Sequence, residues 1–478
     1  MDRPALAAAR PLHPAQIFRW VVLGLVAGFA VGVFARLTVP VAVVASLGVL
    51  VLILTKRVPQ AVGLLVFGCL LALTRAGVVP LPPTSGVFVG PQHFEATIVA
   101  EPKLSERSRR YVVRPDVPGV GQVVLVTLPY KVYQYGERLQ VSCKNVEVVD
   151  FAGYTNQGLW RQCAFPDVEV LAGPAPSLRG ALLSLKYRAS TYVERWLKAP
   201  DSALASGMLW GDYSRLPNEL IEDFRRTGTS HLLAVSGYNV MVLSEILFAV
   251  LIALGLWRKQ ASVVVLLALV LFTLFTGAEA SVVRAAVMAS LLVVARQLAR
   301  KPDRVNVLLG TAAVMLLVNP RLILDLGFEL SFGAMTGLMF LSPMFEERFV
   351  LLPNTAGLRQ SFAQTFAATI ATLPIILLRL GELSLVSPFA NVLVGPVVAL
   401  VFALGLPLLV LGSVHVLATP IAWMLTFVLS YVIFVVQSLA SLPWALATGT
   451  TVTWIGVVVL YAGLGWWLWR GQESAQPA

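Results

Sequence analysis

Apolar runs close to twenty residues long recur along most of this 478-residue chain, and no other feature constrains its fold so tightly. A helix that crosses a bilayer needs roughly 20 consecutive apolar residues. Inside the hydrocarbon only helices and closed barrels satisfy their own backbone polar groups. Hydrophobic residues make up 57% of the chain against 13% charged, and the mean hydropathy is +0.79. That balance excludes an ordinary soluble enzyme and points to a polytopic membrane protein. The formal charge of +11 sits largely on arginines at the ends of the apolar runs. The cytoplasmic bias of basic residues accounts for most of it. The excess is compatible with a nucleic-acid partner but does not by itself imply one.

The amino-terminal stretch MDRPALAAARPLHPAQIFRW places Arg3, Arg10 and Arg19 ahead of the first apolar run. It has no clear small-residue cleavage site and further apolar runs follow, so an uncleaved helix is expected rather than a signal peptide. Spans are expected near residues 17–34, 39–54 and 58–78, with Lys56 and Arg57 between the second and third. With Arg19 and that pair in the cytoplasm, the third span delivers the chain to the outer face. The same rule orients the later block. A helix beginning outside at His231 ends inside at Trp257-Arg258-Lys259, and the next returns outward to Gly277. The run from Glu279 then descends to Arg296, Arg300, Lys301 and Arg304, so both basic clusters fall inside.

From Pro80 the character changes. FEATIVAEP, RYVVRP, GQVVLVTLP, ERLQVSCKNVEVVD and FPDVEVL alternate and are broken by Pro, Gly and Asp, which predicts about five short strands. A small closed extracytoplasmic barrel of the OB type fits that count, although the count alone does not separate OB from other small barrels. Lys103, Arg107, Arg109, Arg110 and Arg114 cluster around the first hairpin with Tyr111 beside them, a set able to grip phosphates and stack a base. Acidic and basic residues roughly balance over 93–170, so a merely solvated hairpin stays open as the alternative. Cys143 and Cys163 lie in the same segment, where an extracytoplasmic location permits a disulfide. Cys69, inside an apolar run, is expected to be a small buried hydrophobe. His13, His93, His231 and His415 are scattered, and no HxH, HExxH or CxxC spacing exists, so neither a metal nor a cofactor is expected.

Next, SLRGALLSLKYRASTYVERWLKAP sets apolar residues at helical spacing with Arg179, Lys186, Arg188, Arg195 and Lys198 between them. It predicts an amphipathic helix on the membrane surface or on the barrel. The chain thus divides into amino-terminal membrane helices (1–79), a β domain (80–174), an amphipathic helix (175–202), a second membrane domain (203–470) and a tail (471–478). About 10–12 membrane helices are expected, some broken or re-entrant.

Several polar residues stand where lipid would not tolerate them. TSHLLAVSGYNVMVLS places His231, Ser236, Gly237, Tyr238 and Asn239 at the start of an apolar run. Glu279 and Arg284 head another span, Asp325 and Glu329 lie four apart with Ser331 following, and Arg379, Glu382 and Asn391 share a proline-rich stretch. Ionisable groups in spans face a bundle interior or a watery cavity and mark function by default. A structural lock, Arg284 with Asp325 or Glu329, is the alternative. Gly237, Gly277, Gly333, Pro374, Pro388 and Pro396 suggest broken helices.

GMLWGD at 207–212, FRRTGTSHLLAVSGYNV, GAEASVVRAAVMAS, NPRLILDLGFELSFGA and LPIILLRLGELSLVSPFANVLVGP together resemble the ComEC-type DNA-uptake channel family, in order and spacing. The resemblance covers the whole chain. It implies conduction of single-stranded DNA across the bacterial cytoplasmic membrane in natural transformation, with the OB-like domain outside receiving the strand. It also implies a DNA receptor, a separate nuclease and a cytoplasmic DNA motor or single-strand-binding protein as partners. The chain departs from the family at Asn239, where relatives often carry a histidine, so no role for that histidine carries over. It also has no histidine beyond His415, so the HxHxDH cluster of the nuclease-like domain found in many relatives cannot form here, and no nuclease activity is expected.

Without a GxxxxGK[ST] loop the chain is expected to be a channel rather than an enzyme, with the driving force supplied elsewhere. A solute or proton-coupled transporter using Glu279, Arg284, Asp325 and Glu329 is the alternative, although no inverted repeat supports it. A membrane enzyme with His231 and Ser236 as base and nucleophile ranks last. Five residues place them about 140° apart around a helix.

Overall fold

The computed structural model describes residues 14–32, 60–77, 93–105, 108–117, 121–144, 146–148, 161–233, 235, 237–297, 303–350 and 357–473. The span expected at 39–54, Arg107 and Ser236 lie outside the described residues. In chain order the elements begin with α1 (Pro14–Gly32), α2 (Gln60–Gly77), β1 (His93–Ile98), β2 (Lys103–Ser105), β3 (Ser108–Pro115), β4 (Val123–Thr127) and β5 (Arg138–Ser142). Then come β6 (Val146–Val148), β7 (Arg161–Ala164), β8 (Asp167–Ala172), α3 (Leu178–Trp196), α4 (Asp201–Trp210) and α5 (Asn218–Arg226). After a 3-10 turn at Ser230–Leu232 follow α6 (Gly237–Ala253), α7 (Arg258–Phe275), α8 (Ala280–Gln297), α9 (Arg304–Val318), α10 (Leu326–Phe340) and α11 (Ser342–Arg348). The last elements are α12 (Leu358–Arg379), β9 (Glu382–Ser384), α13 (Ser387–Leu411), α14 (His415–Ala440), β10 (Leu446–Thr448) and α15 (Trp454–Glu473). The chain divides into two compact units, Met1–Leu81 with Ser290–Asp325, and Pro82–Ala289 with Leu326–Ala478.

In the first unit α1 and α2 touch through glycine. A Cβ on Gly24 would overlap the Leu65 carbonyl, one on Gly28 the Cys69 carbonyl, and one on Gly68 the Val21 carbonyl. The four-residue spacing of Gly24 and Gly28 is the small-residue pattern by which apolar helices bring their backbones together. Cys69 is half-buried in this contact. Arg19 ties α1 to the start of α9, meeting Asp303 Oδ2 at 2.6 Å and donating from Nε to Asn306 Oδ1 at 2.9 Å. Asp303 in turn accepts from the Asn306 N–H at 3.0 Å, which caps α9.

The β domain opens the second unit. Its eight strands form one sheet in the order β6-β7-β4-β3-β1-β5-β8, with β2 paired to β3. Among the described residues the edge strands β6 and β8 do not pair with each other, so the sheet is open and the expected closed OB barrel is not formed. The alternation read from the sequence holds on β1, β3 and β5, where Phe94, Ala96, Ile98, Tyr111, Val113, Leu139 and Val141 point to the core while their neighbours are more exposed. β4 is instead buried continuously over Val123–Leu125. Three strands escaped the sequence because β2 and β6 have three residues each and β7 (RQCA) carries no alternation. The β7 and β8 strands are separated at Phe165, whose φ of 50° lies in the left-handed region. β7 runs parallel to β4, and Cys163 on it bonds to Cys143 with a Cα–Cα distance of 6.0 Å.

The amphipathic helix is present as α3, capped by Ser177, whose Oγ accepts from the Gly180 N–H at 3.0 Å. Its buried stripe is Leu183, Lys186, Ser190 and Val193, so two polar residues point inward. Lys186, 3% exposed, pairs with Glu101 at 2.9 Å in the turn after β1, and Arg179 lies 5.3 Å over the Tyr135 ring. These contacts fasten α3 to the sheet.

Four described helices, α7, α12, α13 and α14, are long and apolar enough to cross a membrane. α10 and α11 pass the same test only as a pair bent by 49°, a broken span or a re-entrant loop, and six shorter apolar helices accompany them. Such a set is that of a multi-pass membrane protein, with fewer full-length spans among the described residues than the expected 10–12. Of the expected breaks, Gly237 falls at the start of α6 and Gly277 between α7 and α8, while Gly333 lies within α10. α12 and α13 continue through Pro374 and Pro396, and Pro388 opens α13. Proline is tolerated at the first turn, where its missing N–H would have no partner.

Reduction should destabilise the β domain. With 20 residues between Cys143 and Cys163, the loop-entropy loss is worth about 3 kcal/mol. A Cys143→Ser/Cys163→Ser chain is expected to lose the domain's structure at lower denaturant, as seen by circular dichroism; an unchanged midpoint would show that the bridge is dispensable.

Candidate functional site

The segment 207–239, its partners on α8, α10 and α12, and the start of α13 gather the polar residues of the second unit. α4 is buried along Ser202–Trp210 and ends at Gly211, whose φ of 78° fits a left-handed cap that glycine adopts without strain. Asp212 follows as an acceptor. Ser190 Oγ donates to Asp212 Oδ2 at 3.1 Å and Ser214 Oγ to Oδ1 at 2.7 Å, while Trp210 Nε1 donates to Ser190 Oγ at 3.0 Å. The GMLWGD stretch is therefore a joint between α3 and the membrane domain. Sequence reasoning missed it, although Lys186 and Ser190 on the apolar stripe of α3 were the signal.

α5 carries Leu220 and Phe224 inward and ends in a threonine knot. Thr227 Oγ1 and Thr229 Oγ1 lie 2.7 Å apart, both fully buried, and Thr227 Oγ1 donates to the Asp223 carbonyl at 2.9 Å. Gly228 between them has φ 67°, and a Cβ there would meet Ser387 Oγ at 2.7 Å. Arg225 is held between Glu222 and Glu382, and Ser384 Oγ donates to the Arg226 carbonyl at 2.8 Å. Loop, α5 and β9 thus form one polar platform at the start of α13.

His231 sits just beyond it in the 3-10 turn. It is exposed to solvent. The backbone becomes helical again at Gly237, where the sequence placed the break. Gly237 does not adopt a positive φ, however; its smallness serves a close approach, because a Cβ there would overlap the Arg284 guanidinium. Asn239, 1% exposed, donates from Nδ2 to the Met208 carbonyl at 3.0 Å, and Ser281 Oγ donates to the Val235 carbonyl at 2.9 Å. The Tyr238 side chain lies outside the described residues.

The expected lock between Arg284 and Glu329 is not formed. Arg284 donates from Nη1 to the Ser331 carbonyl, and Glu329 is held by Arg379 in a two-pronged contact from α12. The fork geometry of Arg379 matches both carboxylate oxygens, which outcompetes a single approach. Asp325 ends the first unit, Glu279 is exposed ahead of α8, and Asn391 bonds within its own helix to the Ser387 carbonyl at 2.9 Å. Gly237, Arg284 and Ser331 therefore come together, Asn239 turns back to α4, and Glu329 and Asn391 are engaged elsewhere.

The basic hairpin exists, with Lys103 opposite Arg110 and Leu104 opposite Arg109. The Lys103 side chain lies outside the described residues. Its arginines divide between two faces: Arg110 and Arg114 are exposed, while Arg109 is half-buried on the side of Tyr111. Tyr111 cannot stack a base, because it is 0% exposed in the sheet core. Its hydroxyl donates to the Lys131 carbonyl at 2.7 Å and accepts from the Tyr133 N–H at 3.0 Å. Burial raises the Tyr111 phenol above its usual pKa, against the lowering effects of the Tyr133 N–H and Arg109.

Residues 208–473 match the profile of the family described as "Competence protein". The "ComE operon protein 3" of Bacillus subtilis (strain 168) is 26% identical over 327 residues, covering 64% of this chain and 41% of the relative. The chain thus spans less than half the length of that curated relative. No solved structure matches it.

Two outcomes follow from this geometry. Tyr111→Phe should destabilise the β domain by about 1–3 kcal/mol, since it leaves the Lys131 carbonyl and the Tyr133 N–H short of a partner. An unchanged denaturation midpoint of the β domain would show that the hydroxyl is dispensable. Glu329→Gln should destabilise the membrane domain by about 2 kcal/mol in a detergent-unfolding titration, because a charge-assisted pair is broken. The exchanged pair Glu329→Arg/Arg379→Glu should recover part of the loss.

Proposed function

The chain belongs to the competence protein family, which supports a role in competence, and on that premise we propose that it conducts single-stranded DNA across the cytoplasmic membrane during natural transformation. The observation that carries this reading is the helix break before Gly237, where His231 stands exposed in a 3-10 turn ahead of the apolar helix α6. Irregular backbone at membrane depth is tolerated where it is buried in protein or borders water. A path lined by neutral or singly charged groups suits a passing polyanion better than a ring of arginines, which would trap it. In this reading the amino terminus is cytoplasmic and the β domain lies outside, where Arg110 and Arg114 offer phosphate contacts to the arriving strand. A receptor, a separate nuclease and a cytoplasmic motor or single-strand-binding protein would complete the route. The chain itself moves the strand without catalysing a reaction.

The transporter reading is less well supported. A relay needs its ionisable groups poised for exchange, whereas Glu329 is held by Arg379 and Arg284 by a carbonyl.

The test is strand import in competent cells, measured as labelled single strands reaching the cytoplasm. Replacing His231 by Trp should abolish import while the chain still accumulates in the membrane, because the larger ring would obstruct the path. Asn239→Ala should instead lower the amount of folded protein, since Asn239 ties α6 to α4. Normal import by the His231→Trp chain would exclude His231 from the path.

A further inference from the structure

α3 presents two rows of side chains on the face opposite its buried stripe. One row is Leu178, Leu185 and Tyr192, each seven residues after the last, with both leucines more than half exposed. The other is Arg188 and Arg195, also seven apart and exposed. Seven residues are nearly two turns, so each row runs along the helix axis and the two lie side by side. Among the described residues neither arginine side chain has a hydrogen-bond or ion-pair partner. Glu194, the one carboxylate on α3, is taken by Arg215. Arg188 and Arg195 line, with Tyr187, Thr191 and Tyr192, an open groove of about 330 Å³ whose lining holds no carboxylate.

The second observation is where the groove sits. α13 and α14 are both long and apolar enough to cross a membrane, and only Gly412, Ser413 and Val414 separate them. Their turn therefore lies at a membrane face. A Cβ on Gly412 would overlap the Tyr192 hydroxyl, and the Trp196 ring packs edge-on against His415 with centroids 5.1 Å apart. The carboxyl-terminal half of α3 is thereby held at the level where tyrosine and tryptophan border lipid headgroups. Around the same turn Val410, Val414, Val416 and Leu417 are exposed. Apolar surface at that depth meets acyl chains, and a basic groove beside it meets phosphates.

We propose that Arg188 and Arg195 form a binding site for the headgroup of an anionic phospholipid, whose acyl chains cover the exposed apolar residues of the α13–α14 turn. Two cations without a carboxylate select a headgroup of net negative charge over a zwitterionic one, whose ammonium would find no partner in the groove. The bound lipid fixes α3 at the membrane surface, and with it the β domain that Lys186 and Arg179 attach to this helix.

The test is binding of a fluorescent short-chain phosphatidylglycerol to the full chain in a neutral detergent. The parent should bind it more tightly than a phosphatidylcholine of the same acyl length. The Arg188→Gln/Arg195→Gln chain should bind it roughly thirtyfold more weakly, the attraction of two basic residues at a lipid surface, and should bind phosphatidylcholine as the parent does. Both arginines are exposed, so without lipid the double variant should melt at the parent's temperature. Inorganic phosphate at matched ionic strength should not displace the lipid, because the acyl chains are part of what is bound. Equal affinity of the parent for the two lipids overturns the site whether or not the double variant folds, and equal binding of phosphatidylglycerol by both chains overturns it as well. Displacement by inorganic phosphate would overturn the lipid and leave a simple anion site. Displacement by a single-stranded oligonucleotide that needs both arginines would assign the groove to nucleic acid and overturn the proposal.

Discussion

Water is scarce between apolar helices, and each polar group placed there must find its partner in the protein. An unpaired amide or hydroxyl costs a few kcal/mol and an unpaired charge more. Most of the second unit obeys this closely: Asn239 turns to the Met208 carbonyl, Ser281 to the Val235 carbonyl, and Arg379 takes both oxygens of Glu329. The threonine pair at 227 and 229 closes the end of α5 in the same way. These contacts join segments far apart in sequence, so the polar residues hold the helices in place. His231 departs from the pattern by its exposure and Arg284 by an Nε without a partner. His231 stands in the turn before α6, and Arg284 of α8 packs against Gly237 at its start, so function is best sought there.

The fold was legible wherever a local period governs burial. Alternation in FEATIV and RYVVRP gave β1 and β3, and helical spacing in SLRGALLSLKYRASTYVERW gave α3. A pair of cysteines in the one segment without membrane character gave the disulfide. What failed depended on tertiary facts. Whether a sheet closes is decided by the pairing of its two edges, and no local pattern in the sequence encodes that. The proline positions misled for a related reason, since neighbouring helices decide whether a span bends at them. α12 and α13 run on through Pro374 and Pro396, while the bend falls at Leu341 between α10 and α11.

The site was half legible. An apolar run interrupted by His231, Gly237 and Asn239 marks a place where polar groups must be served, and the structure serves them there. Which group serves which was not readable. Glu329 lies 50 residues from Arg379, and nothing local favours it over Arg284 as the partner. Tyr111 shows the same limit from the other side: beside arginines it resembles a stacking residue, but the parity of β3 turns it into the core. Family membership adds a role in competence, which no local pattern of charge or burial encodes.

The central claim is that this chain alone provides the conduit. It is tested most directly by reconstituting the purified chain into phosphatidylcholine vesicles that enclose a hybridisation-activated fluorescent probe, and adding the complementary single strand outside. The account predicts a luminal signal that requires the chain, favours single over double strands, and needs no nucleotide triphosphate inside when a strand-binding trap is enclosed. Intact vesicles with correctly folded chain and no luminal signal would contradict it.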